Sequence, residues 1–302
     1  MTAPAGQGET SVRSERLATE LAWPEGPTVL PDGRVIFVET YRSQIGYWAP
    51  GGEHGRFAYT AGGPNATALG ADGNVYVCQN GGVVGPWRAD ERRPPSIQRI
   101  APDGSIEIVA TECDGVAFQA PNDLSFGADG RLYFTDPGRY DQDLRPDPGY
   151  IFALDAEGRG EVVAELESVY PNGIAAEAGG SVVWVESYTR RVQRWHPGGR
   201  IELVAELAEN HVPDGLKLAA NGDLWVTTVT SGGIDVVSSD GSRVEFVAVG
   251  AIPTNCAFSG STLYVTDGGV PGEGEEATYG GVLWAVHLDG AEGMELFRGA
   301  IG

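Results

Sequence analysis

The hydrophobic and polar positions of this chain follow one pattern that recurs six times. A proline is followed by a polar residue, a short apolar stretch, a turn rich in Gly, Asp and Asn, and a run of β-formers. The first copy is Pro24-Glu25-Gly26, leading to a turn at Asp32-Gly33 and a run over 34–40. Four more begin at Pro64-Asn65-Ala66, Pro121-Asn122-Asp123, Pro171-Asn172-Gly173 and Pro213-Asp214-Gly215, with turns at Asp72-Gly73, Asp129-Gly130, Gly179-Gly180 and Asn221-Gly222. The sixth, Pro253-Thr254-Asn255 with Gly260-Ser261, is looser. Short apolar runs bounded by such turns read as strands, and their even spacing reads as a repeated sheet.

Glu25, Asn65, Asn122, Asn172 and Asp214 each lie seven positions before the first residue of their turn. A hairpin fixes its register through its turn, so equal spacing predicts equivalent places at a strand start. Asn255 joins this set if its hairpin is shorter by about two residues. A second half-repeat follows each copy, as in 96–110 and 150–164, and reads as strand, Gly-containing turn, strand. The last of these, 281–297, is read the same way. Four strands in a unit of roughly 40–55 residues make one propeller blade. The predicted fold is therefore all-β, a six-bladed β-propeller with four antiparallel strands per blade. It forms a single domain over 15–302, after a disordered N-terminal arm over 1–14. Residues 16–23 resemble the outer strands of other blades and are expected to join the last blade and close the ring. Helices should be few.

Composition supports a globular β-protein: 41% of the 302 residues are hydrophobic, and 45 glycines suit many tight turns. With 42 acidic and 20 basic residues the formal charge is −22, which argues against nucleic acid or an anionic membrane as partner. A small-molecule substrate is expected, on a monomer or weak homodimer. Cys78, Cys113 and Cys256 give neither a disulfide framework nor a CxxC pair, and are read as idle thiols in a reducing compartment. Met1–Glu20 is polar and not a signal peptide, and no stretch approaches a membrane span. A cytoplasmic location is the expectation.

The innermost strand of each blade lines the central channel of a propeller. The six residues would then ring one mouth: Glu25 and Asp214 as carboxylates, Asn65, Asn122, Asn172 and Asn255 as amides. Oxygen donors without cysteine or histidine suit one hard divalent ion, Ca²⁺ first, with Mg²⁺, Mn²⁺, Zn²⁺ or Fe(II) as alternatives. Without a cation the two acids would repel, and one would keep its proton. The same residue types at strand starts also make Asx-type turns, and the sequence leaves both readings open. His211, three residues before Asp214, is the histidine nearest the ring and a candidate substrate contact. No nucleophile-elbow, Walker or dinucleotide motif is present, which disfavours a Ser–His–Asp triad.

The Glu25, Asn122, Asn172 and Asp214 motifs, together with the run Tyr133–Pro137, resemble the SMP-30/gluconolactonase group, which includes regucalcin-like lactonases. They are similar more distantly to paraoxonases and diisopropyl-fluorophosphatase. The resemblance runs from about Leu21 to the last blade. It implies a six-bladed propeller with one divalent metal held by Glu25, Asn172 and Asp214. It makes Asn122 a fourth ligand or a substrate-orienting residue, and Asp214 the general base of lactone hydrolysis. Many lactonases of the group carry an arginine shortly before the Asn122 position. Here that stretch is Phe118-Gln119-Ala120-Pro121, so Gln119 is read as a substrate contact, with Asn65 and Tyr188. Asp136, Asp123 and Asn255 are read as supporting the site from behind, and Glu186 as a pocket wall. The insert over 83–96, with Trp87 and Arg88, is a candidate lid. The same ring also fits a phosphotriesterase-like enzyme, an isomerase or a cyclase, and a scaffold propeller is a third class.

Overall fold

The computed structural model describes residues 12–85, 87–270 and 279–302. Six four-stranded antiparallel sheets follow one another around a central axis. Blade 1 comprises Pro24–Val29, Val35–Glu39, Gln44–Trp48 and His54–Tyr59. The inner strands of blades 2 to 6 are Pro64–Leu69, Leu124–Phe126, Pro171–Ala176, Pro213–Leu218 and Pro253–Ser259. Each inner strand packs against those on either side, and blade 6 packs back on blade 1.

The second strands show why the chain adopts this layering. Val35–Glu39, Val75–Gln79, Leu132–Asp136, Val182–Glu186 and Leu224–Thr228 are buried at every position. A strand covered on both faces reads as a continuous apolar run, because each face packs against a neighbouring blade. The buried apolar residues fall into six clusters, one at each blade interface. Between blades 2 and 3, for example, Tyr76 and Ile97 meet Phe126, Phe134 and Phe152.

Arg13–Leu21 pairs antiparallel with Gly281–His287 as the outer strand of blade 6, so the N-terminal strand closes the ring as expected. The strand begins at Arg13, and the rest of the predicted arm, 1–11, lies outside the described residues. The reading of 281–297 as a complete hairpin is corrected: Gly281–His287 is a strand, but the outer place is already taken by Arg13–Leu21. The tail instead runs under the ring, where Met294 N donates to Leu218 O and Ala71 N to Gly299 O. Met294, Leu296 and Phe297 help line a cavity of about 60 Å³ at the lower end of the channel. The one helix among the described residues is the short 3-10 turn Thr40–Arg42, and no described helix could cross a membrane. All three cysteines are free and buried.

Candidate functional site

In five blades the motif proline faces the last residue of the second strand. Pro24 faces Glu39, Pro64 faces Gln79, Pro171 faces Glu186, Pro213 faces Thr228 and Pro253 faces Asp267. The register slips at or just after the next residue in all five. Such a bulge frees a residue from the ladder and re-aims its side chain. The glycines after Glu25 and Asn172 answer to crowding. A Cβ on Gly26 would lie 2.2 Å from Ala66 Cα, and one on Gly173 2.4 Å from Leu216 N. Glycine lets adjacent inner strands approach this closely.

One hydrogen bond to a motif carbonyl spans every blade interface. Thr40 donates to Pro64 O, Thr135 to Asn172 O, Ser187 to Pro213 O, Thr227 to Thr254 O and Thr254 to Pro24 O, at 2.7–2.9 Å. At the remaining interface Asn65 Nδ2 donates to Asn122 O at 3.1 Å. The sixth ring position is corrected here. The residue after Pro253 is Thr254, which is fully buried and spends its hydroxyl on blade 1. Asn255 lies one step deeper, where it matches Gly26, Ala66, Asp123, Gly173 and Gly215 in distance from the proline. Four of those five are Gly or Ala. That leaves room for Asn255 to reach across the channel to Asp123, with Nδ2 3.2 Å from Oδ2.

Glu25, Asn65, Asn122, Asn172 and Asp214 meet at the floor of one cavity of about 290 Å³ at the upper mouth. Burial, then the charges of Asp214 and Asp123, push the Glu25 carboxyl well up, against a 2.8 Å hydrogen bond from Gly26 N. Burial raises Asp214 to about 7; the neighbouring Glu25 and Asn172 side chains work against that rise, and Asp123 adds to it. Beneath lies Lys217, the single lysine of the chain. Its Nζ is 3.4 Å from Asp123 Oδ2 and from Asn255 Oδ1, and donates to Leu216 O at 3.0 Å.

The floor amides turn their nitrogens into the protein. Asn65 Nδ2 is held by Asn122 O, and Asn172 Nδ2 by Ser187 Oγ at 3.1 Å. The Asn122 side chain hydrogen-bonds Tyr170. Each amide oxygen is thereby left without a hydrogen bond among the described residues. No group of three His, Cys, Asp or Glu is placed to hold a metal among the described residues. Any cation here would need amide oxygens beside the two acids, and this oxygen set has the hard-donor character Ca²⁺ or Mg²⁺ takes.

Other predicted residues fall outside the cavity lining. Gln119 turns Nε2 to Pro148 O at 3.3 Å, and Tyr188 accepts from Asp141 N at 2.8 Å while packing behind Tyr140 and Tyr170. His211 pairs with Asp235 at 2.9 Å and packs on Phe246. Glu186 is buried and accepts from Thr189 at 2.5 Å. Asp136 is a loop clamp: its oxygens accept from Gln119 N and Ala120 N, both at 2.7 Å, and from Gly138 N at 3.2 Å. Glu39, Gln79 and Asp267 do the same for Ala22, Gly63 and Ile252. That register was visible in the repeat, because each of these residues ends a second strand.

The walls were not read from the sequence. Trp23, Tyr170, Val212 and Ile252, each just before a motif proline, line the cavity with Tyr140, Val84 and Val229. Trp23 stacks on Tyr41 at 5.6 Å, and Tyr41 meets Trp87 of the insert at 5.2 Å. The insert thus forms part of the rim, through Val84 and Trp87. Arg88 folds back onto Gly85 O and Trp87 O of its own hairpin.

The sequence model of the SMP-30/Gluconolactonase/LRE-like region matches residues 23–268, a span that includes every floor residue. The chain belongs to this family. Among curated relatives it is 24% identical over 298 residues to a gluconolactonase of Zymomonas mobilis, covering 85% of this chain and 80% of the relative. Among solved structures, a gluconolactonase of Xanthomonas campestris superimposes with a TM-score of 0.74 at 20% identity, over 93% of this chain and 91% of the other. A regucalcin of Agrobacterium tumefaciens, described as a calcium-binding protein, gives 0.74 at 18% identity over 96% and 98%. Family members thus share the six-bladed ring on which this floor is built.

Proposed function

We propose that this family member is a metal-dependent hydrolase that opens a lactone. The observation that carries the reading is the floor itself: two buried carboxyls with raised pKa values beside three amides whose oxygens are free. The similarity to gluconolactonases points the same way. Glu25, Asn172 and Asp214 would hold one divalent ion, Ca²⁺ by the donor set, with Asn122 as a fourth ligand. When bound, that ion would supply the positive charge that offsets the two acids and polarises a substrate carbonyl.

The chain's own groups do the rest. Asp214 takes a proton from the attacking water as general base. The water oxygen bonds to the carbonyl carbon, the ring C–O bond breaks, and the proton passes from Asp214 to the departing alkoxide. Asn122 and Asn65 orient the substrate, and Asn65 also fixes the Asn122 backbone through its carbonyl.

Asp214→Asn and Glu25→Gln should each lower kcat/KM on a lactone panel by about 100-fold or more, with the β circular-dichroism spectrum unchanged. A chelator should abolish activity, and added Ca²⁺ or another divalent ion should restore it. Full activity in both variants, or in chelated protein, would sink this site.

A further inference from the structure

We infer that the cavity takes a lactone whose body is apolar or aromatic, not a polyhydroxylated sugar lactone. This rests on the hydrolase reading above and names its substrate class. The first support is the wall. The residue before each motif proline is Trp23, Gly63, Ala120, Tyr170, Val212 or Ile252. None of the six is charged, and the four largest line the cavity. Val84, Val229 and Tyr140 complete the wall. Two of these positions hold strained backbone: Trp23 and Tyr170 both sit at φ 56°, where bulky side chains are rare. The fold tolerates that strain where it places an aromatic ring beside the floor.

The second support is a count of hydrogen-bond donors. A sugar lactone presents several hydroxyls, and each one moved from water into the cavity needs a partner. Asn65 and Asn172 each commit one amide N–H to the protein, on Asn122 O and Ser187 Oγ. Tyr140 donates to Gln142 at 3.2 Å, and Gln119 to Pro148 O. Among the described residues no Arg, Lys or His lines the cavity. A polyol brought here would meet few donors and no cationic side chain among the described residues, whereas an aryl or alkyl group would fill the walls.

The test compares three lactones with the same six-membered ring: δ-valerolactone, its 6-phenyl derivative and glucono-1,5-lactone, each corrected for spontaneous opening. The metal-loaded protein should favour the phenyl compound over the bare ring by about tenfold or more in kcat/KM, with the gluconolactone no faster than the bare ring. Tyr140→Ala should shrink the phenyl-to-bare ratio at least about threefold. A gluconolactone preference over both would overturn the substrate class while leaving lactone hydrolysis standing. If no lactone is opened, the hydrolase reading fails, and calorimetric binding of two non-hydrolysable ethers still decides the class. Tighter binding of 2-phenyltetrahydropyran supports it; equal or tighter binding of 1,5-anhydroglucitol overturns it.

Discussion

Asp136 shows how one side chain can shape the site without entering it. Its carboxyl holds three backbone N–H groups, two of them in the loop that delivers Asn122. Burial still pushes it up to about 6, outweighing those donors. Asp136→Asn keeps the volume but turns one acceptor into a donor, so a buried N–H loses its partner at a cost of about 1–3 kcal/mol. The linkage has a definite sign. An acid whose folded pKa lies above its unfolded value of 3.8 holds its proton more tightly in the native state. Its contribution is full below that value and falls away as pH rises to about 6. Urea titrations should therefore show a larger cost of Asp136→Asn at pH 4 than at pH 7, by up to about 3 kcal/mol. An equal cost at both pH values would contradict the raised pKa. The residue itself was legible in the sequence, but its task was not. A strand-ending aspartate looks the same whether it clamps a loop, relays a proton or caps a turn.

At the scale of the element, the inner strand and its bulge decide what faces the mouth. The proline and the polar residue can be read off the repeat, and the five evenly spaced polar residues come together in one cavity lining. The sixth was misplaced by one residue. Asn255 matched in polarity, while Thr254 matched in position, and polarity alone cannot fix a register. Gly173 makes the element's demand testable. A methyl group there would meet the backbone of Leu216, which cannot swing away as a side chain would. Gly173→Ala should cost about 1–3 kcal/mol in denaturant unfolding and push apart the strands carrying Asn172 and Asp214. Activity should fall by more than the loss of folded protein explains. If stability is lost with the specific activity of the folded fraction intact, the close approach serves only packing.

For the whole molecule, closure is the main energetic device. Arg13–Leu21, nine residues from the start of the chain, covers the outer edge of the strand Gly281–His287 near its end. A chain beginning at Ala22 would leave that edge open to another sheet. It should melt at least about 10 °C lower and self-associate in size-exclusion chromatography. A monomer with unchanged melting would show that the ring closes without this strand. The six-fold repeat, the all-β class, the strand that closes the ring and the five evenly spaced polar residues can all be read along the chain. Hairpin register, turn chemistry and continuous apolar runs are local, so they are written along the chain. The packing of blade against blade set how the five floor residues are aimed and which of their amide atoms are free. It also set the Asp123–Asn255–Lys217 bridge across the channel, the tail beneath it and the apolar wall above the acids. Each of these depends on contacts between blades distant in sequence, where a residue's role is fixed by what the opposite strand leaves room for.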